Sequence, residues 1–187
     1  MNQRRRNHYD VTDRVQISHP GEVARAVCGL LKSLYPQQDL QPLREAYDTF
    51  THLYAGTLPG YLGCDTRYHD AQHSLDCSLA LARLIDGHER SVPAEQALGG
   101  PRAMLGVIVA LFHDAGYIRS TRDTARNGAE YTLTHVRRSA QFIADFLPIM
   151  GVGREAQRAA AIVHFAGYEW LLVQVLVCEP EGRWFGV

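Results

Sequence analysis

Histidines and aspartates are the residues of this sequence whose types and spacing are best suited to chemistry. His69 and His73 are four residues apart and Asp76 follows three residues later, so all three share one face of a helix that begins early enough. His113 is followed directly by Asp114. Neutral imidazole and carboxylate together suit Mn, Fe, Co, Ni or Zn better than Mg alone. The pattern therefore predicts a site for a divalent metal.

The elements that must position these residues are helices, because apolar residues recur with a helical period and no convincing alternating run appears. Proline, glycine and capping residues mark about seven helices. They are predicted over 22–34, 42–54, 71–86, 101–115, from Thr132 or Thr134 to Phe146, 155–165 and 169–177, with a short helical turn after Ser91. Cys77, Met104, Phe112, Phe142, Trp170 and Leu176 are assigned to the core. The sequence thus predicts an all-α domain.

Helix lengths predict where the histidines meet. The third helix, counted from His73, and the fourth, counted to His113, have matched lengths of about 20 Å and about 18 Å at roughly 1.5 Å per residue. A compact link should pack them antiparallel, which brings His73 beside His113 and Asp114. The next two helices alternate again, so His135 and His164 are expected at the same end of the bundle.

Two segments carry a resemblance to a known family. The segment 68–76, YHDAQHSLD, is similar to the YHNxxHAxD signature of cyclic-nucleotide phosphodiesterases, and the segment 111–117, LFHDAGY, resembles the dyad of the HD-domain metal-dependent phosphohydrolases. Their metal-ligand histidines stand in the right order and 40 residues apart, and the resemblance covers about 68–167. It implies an HD-domain-like helical bundle, which we expect to span 21–187 as a single domain after an N-terminal tail over 1–20.

The resemblance implies a set of metal ligands. The family pattern of histidine, histidine-aspartate and aspartate corresponds to His73, His113 and Asp114, and His135 and His164 resemble the additional ligands of binuclear relatives. One or two divalent ions (Mn, Fe, Co, Ni, Zn or Mg) are therefore expected.

The fourth ligand of the family pattern is an aspartate on a later helix, but no aspartate follows Asp145. Three explanations stay open: a truncated gene product, replacement by Glu169, Glu179 or Glu181, or a degenerate site. We expect truncation or a changed C-terminus.

The resemblance also implies a reaction, in which a metal-activated water attacks phosphorus. His69 and Asp114 are the predicted catalytic residues, His69 as the proton donor to the leaving oxygen, and Asp70 or Asp76 would orient a ligand imidazole. Arginines after the dyad are suited to bind phosphate: Arg119, Arg122 and Arg138, with Arg126 and Arg137 beside them. The expected substrate is a phosphomonoester or phosphodiester of a nucleotide-like small molecule. The alternative is a non-catalytic HD domain that binds a metal or ligand.

Composition excludes several other classes of protein. The 19 basic and 20 acidic residues leave a net charge of −1, which predicts neither nucleic acid nor an anionic membrane as a partner. No apolar run reaches the roughly 18 residues that span a bilayer, and no apolar stretch follows the basic N-terminus. The four cysteines lack CxxC spacing, as expected of reduced thiols. A cytoplasmic location is therefore expected.

Overall fold

The structure, a computed structural model, describes residues 8–164 of the chain. This part contains six α-helices and no β-strand. The helices are α1 (Pro20–Leu34), α2 (Gln41–Ala55), α3 (Ala71–Ser91), α4 (Gly100–Phe112), α5 (His135–Phe146) and α6 (Ala156–Val163). Short 3₁₀ turns cover Ala94–Gln96, Ala115–Tyr117, Gly128–Tyr131 and Gly153–Glu155. The predicted all-α class is confirmed. Within 8–164 no helix combines the length and the apolarity needed to cross a membrane.

Two helix ends lie three or more residues from those predicted. The third helix continues beyond residue 86 to Ser91, because its first strong stop is Val92, which Pro93 holds in an extended conformation (φ −104°, ψ 155°). The fourth helix ends at Phe112 and does not reach residue 115, because Asp114 leaves helical geometry (φ −105°, ψ 8°). The predicted helix over 169–177 lies outside the described residues.

The core fixes the end of α4. Helix α3 packs against α1 and α4, while α5 packs against α6 and against the turn Ala115–Tyr117. Phe112 is buried between Phe50 and Phe142, with ring centroids 6.1 Å and 5.3 Å away. Burial of one such side chain stabilises a fold by about 1.5–3 kcal/mol, so the backbone that carries the next two residues has a firm anchor.

The segment before α1 packs onto the bundle. Ile17 is buried, and Asp10 is buried with its carboxylate 2.7 Å from the Arg83 guanidinium of α3. The predicted tail therefore contains a packed part over 8–19, whereas the arginines at positions 4–6 lie outside the described residues.

Candidate metal centre

The start of α3 positions the first two histidines. The Asp70 side chain caps the helix by accepting a hydrogen bond of 2.9 Å from the His73 backbone N–H. His69 precedes this cap, and its ring meets that of His73 edge to face, with centroids 5.9 Å apart. Capping thus sets where the helix begins and which way His73 leaves it.

The end of α4 positions the HD pair. His113 Nδ1 donates to the Ala110 carbonyl oxygen at 2.8 Å, so the other ring nitrogen, Nε2, turns toward Asp114. Asp114 is only 2% exposed although it carries a carboxylate. A buried carboxylate is costly unless charged or hydrogen-bonding partners surround it.

Helix α5 approaches this pair because of a glycine. A β-carbon at Gly116 would overlap the His135 carbonyl oxygen, and the Gly116 N–H donates to the Ser139 hydroxyl at 2.8 Å. Only glycine allows two backbones to come this close. Helix α5 therefore begins, at His135, next to the His113–Asp114 dyad. The Nδ1 atom of the His135 ring donates to the Thr132 carbonyl oxygen at 2.7 Å.

Four imidazoles surround the Asp114 carboxylate. His69 Nδ1 donates to Asp114 Oδ2 at 2.8 Å. The Nε2 atoms of His113 and His73 lie 3.2 Å and 3.4 Å from the same oxygen, and His135 Nε2 lies 4.0 Å from Oδ1. The structure thus brings together three of the histidines that helix lengths predict at one end of the bundle, His73, His113 and His135, and adds His69 to them.

Tyr117 supports the rings. Its own ring stacks on His69 and on His135, with centroids 4.2 Å and 4.4 Å apart. Sequence reasoning missed this residue, because stacking depends on how the turn Ala115–Tyr117 folds back between two distant segments.

The electrostatics of the cluster favour the ionised form of Asp114 and the neutral form of His73, which are the forms that can bind a metal. Burial by itself raises the pKa of the Asp114 carboxyl, but hydrogen bonds and charges from His113 and His69 bring that pKa down to about 2. Burial lowers the pKa of His73 below its usual value, more than the attraction of Asp114 raises it. At neutral pH, Asp114 is therefore ionised and His73 is neutral.

His113 behaves differently from His73. Burial alone would lower its pKa, but the hydrogen bond to Asp114, the Asp114 charge and the Ala110 carbonyl raise the pKa above its usual value. The cause is the Asp114 carboxylate oxygen, which lies 3.2 Å from His113 Nε2 and stabilises positive charge on the ring.

The donor set fits a metal ion. In a neutral ring whose Nδ1 donates to a carbonyl, Nε2 carries a lone pair, and both His113 and His135 direct Nε2 toward Asp114. A lone pair facing a carboxylate oxygen is repulsive without a proton or a cation. Moreover, one ligand atom each from His69, His73 and Asp114 lie within 4.8 Å of one another.

A cavity of about 340 Å³ opens beside His73, lined by Ile17, Asp70, Gln72, His73 and Asp76. A larger cavity of about 430 Å³ lies between α1 and α2, and its lining contains no histidine. Of the four imidazoles around Asp114, that of His73 lines the smaller cavity.

Two of the predicted phosphate-binding arginines are held by the protein itself. Arg138 donates to the carbonyl oxygens of Gly116 and Ile118 and pairs with Asp123 at 2.7 Å. Arg119 donates to the Ala125 carbonyl oxygen and pairs with Asp65 at 3.0 Å. Both arginines thus shape the loop after the dyad.

The remaining predicted residues are exposed, follow α6 or lie outside the description. Arg122, Arg126 and Arg137 are exposed. His164 directly follows α6. The alternative fourth ligands Glu169, Glu179 and Glu181 lie outside the described residues.

Cys77 is a second residue whose place sequence reasoning missed. It was assigned to the core, but its sulfur lies 3.8 Å from His73 Nε2. The available signal was its position four residues after His73, one helical turn along the same face.

Comparison of the chain with protein-family profiles, with curated proteins and with solved structures finds no match.

Proposed function

We propose that this protein is a metal-dependent phosphohydrolase that cleaves a phosphomonoester or phosphodiester of a nucleotide-like small molecule. The observation that carries the proposal is the buried Asp114 carboxylate with four imidazoles around it, two of them fixed by Nδ1 hydrogen bonds to backbone carbonyls. A structural hydrogen-bond network does not need this many ionisable rings around one carboxylate.

His73, His113 and Asp114 would hold the metal, and His135 lies at the distance of a further ligand or of a residue that contacts a second ion. A divalent cation bound there supplies Lewis-acid polarisation of phosphoryl oxygens and lowers the pKa of water. The hydrogen bonds of Ala110 and Thr132 keep the two rings in the tautomer that can bind a cation.

His69 is suited to move a proton. Its Nδ1–H is held by Asp114 at 2.8 Å, and Tyr117 stacks on its face, so the ring has one orientation. The opposite nitrogen, Nε2, is left to donate a proton to the leaving oxygen of the substrate, after which His69 is neutral and keeps its Nδ1–H. With 39% of its side chain exposed, His69 can meet a substrate.

The arginines indicate which groups would neutralise the phosphate of the substrate. Because Arg119 and Arg138 are engaged by Asp65 and Asp123, neutralisation of the phosphate falls mainly to the metal. The remaining predicted arginines, Arg122, Arg126 and Arg137, are exposed and can approach a phosphate group.

The test begins with the metal content of the purified protein by inductively coupled plasma mass spectrometry. We expect one or two equivalents of Mn, Fe, Co, Ni or Zn in the wild type, and loss of that metal in His113→Ala. The matched control is His88→Ala, which removes an exposed histidine at the other end of α3.

A panel of phosphoesters is then assayed with each metal. Metal-dependent release of phosphate or of a phosphomonoester by the wild type, lost in His113→Ala and kept in His88→Ala, supports the hydrolase. Bound metal without turnover of any phosphoester would instead make the protein a metal-binding module, and the hydrolase would be withdrawn.

A further inference from the structure

The thiol of Cys77 lies beside the imidazoles of the candidate metal centre. Cys77 and His73 are one turn apart on α3, and the Cys77 sulfur lies 3.8 Å from His73 Nε2 and 3.9 Å from Nδ1. Because these two distances are nearly equal, the thiol does not direct a hydrogen bond at one ring nitrogen. The sulfur is thus placed next to His73 without a strong bond that would hold it there.

His113, from α4, completes a group of three ligands with these two residues. One ligand atom each from His73, Cys77 and His113 lie within 4.8 Å of one another. Zinc bond lengths of about 2.3 Å to sulfur and about 2.0–2.1 Å to nitrogen, at a tetrahedral angle, require a sulfur–nitrogen separation of roughly 3.6 Å. The observed 3.8 Å is close to that value, although the nearly equal distance to Nδ1 places the sulfur off the Nε2 lone-pair axis. Rotation of the Cys77 and His73 side chains is therefore required to close the group around an ion.

We propose that Cys77 is a thiolate ligand of the metal centre, which it forms together with His73 and His113. The inference rests on the proposed metal centre, because the two imidazoles are shared with it. Asp114 Oδ2 lies 3.4 Å from His73 Nε2 and 3.2 Å from His113 Nε2, so the carboxylate and the thiol adjoin the same pair of imidazoles. Cys77 would thereby add a thiolate, from within α3, to the imidazole ligands of the centre.

A thiolate ligand changes which metal the centre prefers. Binding breaks the S–H bond, forms a sulfur–metal bond and releases one proton to solvent, with no change of oxidation state. Thiolate is a soft ligand that favours Zn²⁺ and similar ions over Mg²⁺ and Mn²⁺. We therefore expect the centre to select Zn²⁺ or Co²⁺ when Mg²⁺ and Mn²⁺ compete.

Cobalt substitution tests the sulfur bond directly. Metal-free full-length protein is titrated with Co²⁺, and a thiolate-to-cobalt charge-transfer band in the near ultraviolet is expected in the wild type. Cys77→Ser should lose that band but keep the weaker visible bands of bound Co²⁺. Cys28→Ser, which removes a half-buried thiol from α1, is the matched control and should keep both.

A second measurement needs no variant, so it does not depend on how Cys77→Ser folds. Trypsin separates the four cysteines into different peptides, with Cys77 in 68–83 and Cys28 in 26–32. The wild type is alkylated with iodoacetamide in the presence and absence of Zn²⁺, and each peptide is quantified by mass spectrometry. At a free Zn²⁺ concentration about tenfold above the Kd, alkylation of Cys77 should slow about tenfold, because only the metal-free fraction of the protein offers the thiol for reaction. Cys28 should be unaffected, and Mg²⁺ should protect neither thiol.

The possible outcomes separate this inference from the proposed metal centre. Bound Co²⁺ without a charge-transfer band, or bound Zn²⁺ with Cys77 alkylated at its metal-free rate, overturns the role of Cys77 and leaves the centre in place. Absence of bound metal in the wild type, measured by plasma mass spectrometry, overturns both.

Discussion

The molecule buries two aspartates within its described residues in contrasting ways. Asp10, before α1, and Asp114, after α4, are 5% and 2% exposed. Asp10 accepts hydrogen bonds from the backbone N–H groups of Thr12, Arg14 and Val15, from the Thr12 hydroxyl and from the Arg83 guanidinium. Asp114 has imidazoles around it.

The difference lies in the partners and not in the burial. The donors around Asp10 are permanent, since backbone amides, a hydroxyl and an arginine keep their protons at any physiological pH. The partners of Asp114 can lose their protons and then offer lone pairs, which is the behaviour of metal ligands. A buried carboxylate therefore has permanent donors around it in one region and the groups of a candidate metal centre around it in the other.

The largest effect that separates the two regions is expected from Asp114→Asn. An amide cannot replace the negative charge that binds a cation, so the affinity for the metal should fall by at least about 100-fold, the upper end of what loss of a supporting residue costs, and the metal content of the purified protein should fall with it. Plasma mass spectrometry on wild type and variant measures this loss. Asp86→Asn, which removes a carboxylate paired with Arg90 at the end of α3, is the control and should retain the metal. Full metal content in Asp114→Asn would remove the distinction between the two aspartates.

Asp10→Asn should have the opposite profile, a loss of stability with unchanged metal content. The amide has one acceptor oxygen in place of two and leaves Arg83 without its charge partner. Breaking a buried ion pair costs about 3–5 kcal/mol, and because Arg83 is one-third exposed we expect about 2–3 kcal/mol in the free energy of unfolding. Urea denaturation of the metal-free protein measures it. A change within about 0.5 kcal/mol, as for ordinary surface substitutions, would contradict a structural role for Asp10.

Sequence patterns locate the surroundings of Asp114 better than those of Asp10. His73, His113 and Asp114 could be brought together from the sequence because helix length and antiparallel packing are regular, and each residue lies at a helix end. Asp10 could not be paired with Arg83, because the two are 73 residues apart and a local turn forms the rest of its contacts. The pattern of helices was thus predictable, whereas a bond between an irregular segment and a helix was not.

Side-chain roles were less predictable than positions. The position of Cys77 in the helical pattern fits both a core residue and a residue one turn from His73. Only the packed structure shows which of these two environments the thiol occupies. Arg138 is of the residue type that binds phosphate, but its guanidinium already donates hydrogen bonds to backbone carbonyl oxygens that no sequence pattern reveals. Helix α4 ends at Phe112 and not at residue 115, because Asp114 leaves helical geometry and the turn that follows it packs against α5.

Acid sharpens the contrast for Asp10. Burial raises the pKa of this carboxyl, but hydrogen bonds from Thr12, Val15 and Arg83 outweigh burial and hold the pKa well below its usual range. A carboxyl with a lowered folded pKa stabilises the protein above its unfolded pKa of about 3.9, and this stabilisation is lost as the pH falls toward the folded pKa.

The difference in unfolding free energy between wild type and Asp10→Asn should therefore be constant above about pH 5 and shrink below about pH 4, by at most about 1.4 kcal/mol per pH unit. Urea titrations between these pH values measure the difference. A gap that stays constant down to pH 3 would show that the stabilisation by Asp10 does not depend on its charge.

The smallest expected effect concerns the loop that joins α4 to α5. Arg138 donates through Nε to Gly116 and through Nη2 to Ile118 and Asp123, and its guanidinium carbon lies 3.7 Å above the Tyr131 ring. A lysine ammonium cannot reproduce this planar fork. Arg138→Lys should therefore lower the free energy of unfolding by about 1–2 kcal/mol, the value of one or two hydrogen bonds.

The exposed neighbour Arg137 on the same helix provides the matched control, and Arg137→Lys should leave stability unchanged. Because the bonds of Arg138 hold the backbone just after Asp114, its loss should also weaken metal binding, but by far less than Asp114→Asn does. Stability and metal affinity are measured together on both variants. If Arg138→Lys changed only the KM for a phosphoester and neither of these quantities, Arg138 would be a phosphate ligand, and the loop after the dyad would be held by its other contacts.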